Sequence, residues 1–263
     1  MATFTLGPEQ VRAYRDAREM PAVDLVIVAL KATANDQFEP LVRPLLAEHT
    51  AILTLQNGLG NEEQLAEFFG PHRILGGLAF VCINRLAAGH VRHTDYGFIK
   101  LGEFAGTGPT PGDSPRARAI ADLFTAAKVP CSVLPDLKLG RWEKLVWNVP
   151  FNGLGAALDL ATDQLLATAE GEELVAGLMR EVVAIATAIG VRLPEVVVRQ
   201  QIDRTRSMGA YQTSMQIDRR SGRPLEVEAI IGAPLNAAGQ SGVSTPLLNH
   251  LAQLVAAVNV KTN

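Results

Sequence analysis

Cysteine is nearly missing from this chain: Cys82 and Cys131 are the only two among 263 residues. Two thiols are too few for a disulfide framework, so a reducing cytoplasm is the expected compartment. A basic arm is also lacking. The 24 lysines and arginines are scattered among 27 acids, the net charge is −3, and no nucleic-acid partner is expected. Apolar runs are short. Leu25 to Leu30, with Ala22 and Val23 before it, falls far below the length a bilayer demands, so no membrane association is expected. Met1 to Thr5 has neither a basic stretch nor a cleavable signal pattern. No metal set is expected either, because His90 and His93 would point to opposite faces of a strand. What the chain does have is 48% apolar residues, enough for a real core in one large domain or two of ordinary size.

Two regimes follow one another. Up to about residue 137 strands and helices alternate. Asp24 to Leu30 is a β-branched apolar run of the kind covered by helices on both faces. A helix is expected near Asn35 to Leu46, a buried strand over Ala51 to Gln56, and a helix to Phe69 with Asn61 as its cap and Gln64 completing a capping box. Strand Ile74 to Cys82 follows. An antiparallel hairpin spans His90 to Glu103 with turns at Gly89 and Gly97, then come helix Arg116 to Lys128 and strand Cys131 to Leu134. The pattern predicts an α/β, doubly wound sheet over 1–137. From 138 to 263 only helical stretches remain: Arg141–Leu158, Gly171–Ile189, Glu195–Ser207, Pro224–Ala238 and Thr245–Val258. This half is expected to be a separate all-helical domain, with the boundary near Pro135-Asp136.

The most informative segment is Arg141 to Asn152. Lys144, Asn148 and Asn152 are four apart and share one helical face, while Trp142, Leu145, Val146 and Val149 cover much of the rest. An ammonium flanked by two amides among large apolar groups suits a buried site for a small anion or carbonyl. The plain alternative puts Lys144 and Arg141 on a solvated face and lets the asparagines close the helix at Pro150. Gln56-Asn57-Gly58-Leu59-Gly60-Asn61 leaves a strand and enters a helix, but the third glycine of the dinucleotide fingerprint is missing. The better reading is a tight turn placing Asn57 at the carboxyl end of a strand, the edge that lines the ligand crevice of open α/β sheets. Lys31 stands at the equivalent end of the preceding strand, where it meets a phosphate or carboxylate or is simply solvated. Glu226 and Glu228 are two apart and would face different ways on a helix opened by Pro224. Ser214 is an ordinary hydroxyl on the same terms.

Together these pieces resemble the ketopantoate reductase (2-dehydropantoate 2-reductase) family. The matching stretches are Asp24 to Ala32, Leu55 to Glu62, Val91 to Thr94, Trp142 to Asn148, and Thr213 to Asp218 on through Glu226 to Gly232. The resemblance implies an NADPH-binding Rossmann domain, a helical domain, and an active site between them. It implies reduction of 2-dehydropantoate to (R)-pantoate, a step toward pantothenate, by an enzyme whose partner is a small 2-oxo acid and which can form a homodimer. Lys144 is then the general acid that protonates the carbonyl oxygen. Asn148, Asn152 and Ser214 are substrate ligands, and Lys31, Asn57, Cys82 and Glu226 are cofactor contacts. The family's third substrate asparagine has no counterpart; its place falls near Ala161-Thr162.

The family's opening strand, its Gly-x-Gly-x-x-Gly loop and the helix after it also have no counterpart here, so the chain reads as N-terminally truncated, with Val11 to Tyr14 as the family's third strand. Two consequences are expected. Strand Asp24 to Leu30 becomes an exposed apolar edge that favours self-pairing. NADPH binding is weak, because the pyrophosphate lacks its helix N-terminus. A non-catalytic fragment, or a reductase of another small 2-oxo acid, are the alternatives.

Overall fold

The β-branched run predicted as a covered strand forms β1 (Val23–Val28) in the computed structural model, which describes residues 5–7, 9–106 and 112–259, without the side chain of Asp95. Residues 1–4 of the leader reading therefore lie outside the described residues. β2 (Leu46–Thr54) and β3 (Ile74–Ala87) run parallel to β1. β4 (His90–Glu103) turns back antiparallel on β3, and β5 (Cys131–Val133) runs parallel to β4, giving the order β1-β2-β3-β4-β5. Alternation sends successive side chains to opposite faces. Val26, Val28, Ile52 and Ile74 meet α1 (Phe38–Val42) and α2 (Asn61–Phe69) on one face, through Phe38, Val42, Leu65 and Phe69. Ala51, Leu53, Leu75 and Leu101 meet Ala117, Ile120 and Ala121 of α3 (Pro115–Ala126) on the other.

Several expectations are corrected here. Residues 11–14 form no strand and are exposed; the segment has one β-branched residue and no partner, so β1 is the sheet edge and Ile27 stays 45% exposed. The helix expected over Asn35 to Leu46 breaks into 3₁₀ turns at 32–37 and 43–45 around the short α1, because Pro44 cannot donate to a helical ladder. Gly97 is no turn. It sits inside β4 at φ 138° where the pairing slips between Phe80 and Val81, which makes it a bulge. Gly60, not Asn61, caps α2; its φ of 89° frees the side chain of Asn61 to donate to Asn57 O at 2.9 Å.

The helical half is built around α4 (Leu137–Leu158), which packs against α6 (Ala169–Ala188), α8 (Ser214–Arg220) and α10 (Pro246–Val258). Two further helices are α5 (Thr162–Leu165) and α7 (Val197–Arg206). α4 runs straight through Pro150, so the asparagines do not close it. One lost hydrogen bond is outweighed by Val146, Val149, Phe151 and Leu154, all buried in one core. Residues 228–232 form a π-helical turn leading into α9 (Ala233–Ser241). Glu226 lies ahead of that turn rather than on a helix from Pro224, because its carboxylate is tied to the other half of the molecule: Ala32 N donates to its Oε1 at 2.9 Å. No helix of the described residues is long and apolar enough to cross a membrane.

The two halves meet at the loop after β2. Leu59 N donates to Ala229 O at 2.9 Å, and Gly58 stands at φ 84° with an added Cβ only 2.3 Å from the same carbonyl oxygen. Gly58→Ala is therefore expected to destabilise the protein by more than about 1 kcal/mol, since alanine resists this backbone conformation and has no space beside residue 229. Urea unfolding checks it, and an unchanged midpoint would mean that the loop docks without needing glycine.

Candidate active site

α4 places Lys144, Asn148 and Asn152 along one wall of a cavity of about 270 Å³. The facing wall is Ala79 to Ile83 of β3 with Tyr96 of β4. α7 closes one side with Gln201 and Arg204, and Met208, Tyr211 and Ser214 complete it. Asn57 and Leu55 reach it from the loop after β2, at the carboxyl end of the parallel strands. Six of the eight singled-out residues (Asn57, Cys82, Lys144, Asn148, Asn152 and Ser214) thus share the cavity. Lys31 and Glu226 do not line it.

Lys144 Nζ donates to Asn57 Oδ1 at 2.9 Å and to Ala79 O at 2.7 Å, and lies 5.0 Å from the centroid of the Phe80 ring. An ammonium has three N–H donors, so one is left for a ligand. Burial, seconded by the nearby Arg141 guanidinium and opposed by the Glu226 carboxylate, lowers the Lys144 pKa to about 7. A group that titrates there can both polarise an oxygen and release its proton to it. Beside it Asn148 is buried with its Nδ2 unpaired by any described residue. A donor left in that state inside a cavity is a polar group awaiting an acceptor. Asn152 Oδ1 accepts from Ser214 Oγ and from Met215 N, both at 3.2 Å, which ties the stripe to the start of α8. Burial, and then the adjacent Cys82 thiol, raise the Tyr211 pKa, so its phenol stays neutral.

Lys31 and Glu226 form a second cluster. Lys31 Nζ pairs with Asp218 Oδ2 at 2.7 Å and Glu226 Oε2 at 3.4 Å, and Arg223 Nε donates to Asp218 Oδ1 at 2.9 Å. Burial alone would lower the Lys31 pKa; the two carboxylates outweigh it and raise it. Glu226 still reaches the catalytic wall as a charge, through its effect on Lys144. Asp218 was invisible to spacing arguments, since only the fold brings it to Lys31. The same is true of Arg141. The solvated face of the plain alternative fails for Arg141, which is 4% exposed, donating to Glu62 and, at 2.7 Å, to Gln56 O. No cluster of potential metal ligands occurs among the described residues.

Known proteins match this arrangement in both halves. Residues 5–106 fit the family model described as ketopantoate reductase PanE/ApbA, and residues 136–259 fit that of its C-terminal part. A 2-dehydropantoate 2-reductase of Nostoc sp. (strain PCC 7120) is 45% identical over 248 residues, 94% of this chain and 77% of the relative. The crystal structure of 2-dehydropantoate 2-reductase from Geobacter metallireducens GS-15 superposes with a TM-score of 0.90 at 46% identity, covering 94% of this chain and 81% of that one. Its counterpart from Methylococcus capsulatus gives 0.84 at 32% identity, covering 93% and 77%. Fold and site first define a class: a Rossmann-like sheet joined to a helical domain, with a half-buried lysine in the crevice where the two meet. Within that class, the chain belongs to the ketopantoate reductase family.

Proposed function

We propose that this protein reduces the ketone of 2-dehydropantoate to (R)-pantoate, with NADPH as reductant and Lys144 as the general acid. The observation that carries the reading is the third N–H of Lys144, left over beside an Asn148 amide that no described residue pairs, in a cavity whose described lining includes two cations and no carboxylate. Such a cavity prefers an anion. The close relatives carry the matching activity in their names.

In this reading the ketone oxygen takes the free N–H of Lys144, with Asn148 as a second donor. As negative charge grows on that oxygen, the ammonium stabilises it and then passes its proton over. Asn57 and Ala79 O hold the amine in place meanwhile, and Asn152 and Ser214 orient the rest of the substrate. The apolar walls, with Trp147 and Phe80, keep water from the developing charge. NADPH, when bound, supplies the hydride. Its nicotinamide end would suit Asn57, in the loop after β2, and Cys82, inside β3, and Lys31 with Glu226 would meet it farther along the cleft. The proposal also divides the chain into a cofactor domain, 1–137, and a catalytic domain, 138–263. It places the protein in a reducing cytoplasm, where Cys82 and Cys131 form no disulfide, and allows a homodimer.

The test is oxidation of NADPH at millimolar concentration by the purified chain, with 2-dehydropantoate and other 2-oxo acids compared by kcat/KM, and NADH run in parallel. Highest kcat/KM with 2-dehydropantoate and NADPH is expected. Preference for another 2-oxo acid would move the assignment to that substrate, and no oxidation with any of them would overturn it.

A further inference from the structure

Three arginines lie within eight residues on or near α7, and their surroundings differ. Arg199 pairs with Asp203 at 3.5 Å and Arg206 pairs with Glu172. Among the described residues nothing accepts from the Arg204 guanidinium; instead it lies 5.5 Å from the Tyr96 ring centroid and 5.9 Å from that of Phe80. Both rings line the cavity, and so does Arg204 itself. Phe80 is the same ring that Lys144 approaches to 5.0 Å. The two cations of the cavity therefore hang at one aromatic ring, Lys144 half-buried and Arg204 exposed at the solvent side.

A guanidinium held near the faces of two rings by cation–π attraction still has its N–H groups to offer a ligand. Those groups match a carboxylate in the two-point fashion that an ammonium cannot offer. In a 2-oxo acid the carboxylate is bonded directly to the ketone carbon, so a molecule whose ketone oxygen meets Lys144 must put its carboxylate within a few ångström of it. Among the described side chains that line the cavity none is acidic, so none competes for that position.

We propose that Arg204 is the carboxylate-binding and specificity-determining residue of this site, selecting 2-oxo acids over neutral ketones of the same shape. The inference rests on the reading of the cavity as a 2-oxo acid site, and gives Arg204 a role that reading leaves unassigned. Gln201, one turn earlier on the same face, supports the guanidinium side of the cavity.

The test compares the wild-type chain with Arg204→Met, which keeps the apolar stem on Phe80 and Tyr96, and Arg204→Lys, which keeps the charge but loses the fork. For 2-dehydropantoate, Arg204→Met is expected to raise KM by about 10- to 100-fold with kcat within a few-fold, the loss of a charge-assisted pair. Arg204→Lys should fall between. For the corresponding carboxamide the variants should equal wild type. A KM within two-fold of wild type in Arg204→Met, or equal losses with acid and carboxamide, would overturn the proposal. Binding of 2-dehydropantoate followed by titration calorimetry keeps the question open to decision if no turnover occurs. Heat lost in Arg204→Met but seen in wild type supports the assignment even as the reductase reading fails; equal heats, or none in either protein, defeat it.

Discussion

Replacing Lys144 with alanine is expected to lower turnover of the keto acid by about 10²- to 10⁴-fold, the usual worth of a positioned proton donor. The loss should fall on kcat, because Asn148, Asn152 and Ser214 still line the cavity and hold the substrate. Lys144→Arg should be similarly poor, since a guanidinium polarises an oxygen but does not give up its proton at these pH values. The pH profile supplies an independent readout. A lysine whose pKa is lowered to about 7 is the competent acid only below that value, so kcat/KM should be flat in mild acid and fall as pH rises through about 7. The same shift has a sign for stability. Between about 7 and the ordinary lysine value of 10.5 the unfolded chain holds a proton that the folded one has released, so this group makes the fold more stable as pH rises across that window. A wild-type profile with no inflection near 7, or an alanine variant with unchanged kcat, would remove Lys144 from the reaction.

Arg141→Met is expected to cost about 3–5 kcal/mol of stability, the penalty for leaving one member of a buried ion pair alone. The Glu62 carboxylate is 5% exposed and would lose its partner, while Gln56 O would lose the 2.7 Å bond it accepts. By contrast Arg43 and Glu39 have side chains 55% and 51% exposed, and Arg43→Ala should cost no more than about 1 kcal/mol. Urea midpoints of the two variants decide the comparison. Arg141 also helps to lower the Lys144 pKa, so its removal should shift the fall in kcat/KM to higher pH. Equal midpoints for Arg141→Met and Arg43→Ala would show that water reaches the pair.

The legible parts of this protein were those whose signal is local. The spacing of Lys144, Asn148 and Asn152 is a helical repeat, and the three do line one cavity wall. The two-regime pattern of strands and then helices was readable because burial on both faces and burial on one stripe leave different periods. Glycine and proline were harder. Gly97 and Pro150 looked like stops, yet the partner strand absorbs one as a bulge and the surrounding core carries the other. Val11 to Tyr14 was assigned to a strand by analogy with a family order, without enough apolar alternation of its own to form one.

What the amino-acid order determined by itself was composition, the sequence of elements, and which side chains share a face of one helix, since these depend on neighbours a few residues away. Tertiary structure decided which charges meet. Asp218 and Glu226 come to Lys31, Glu62 to Arg141 and Arg204 to the Phe80 ring across separations of up to 195 residues. Only packing sets those distances, and with them the burial that lowers the pKa of Lys144 and leaves Arg204 unpaired.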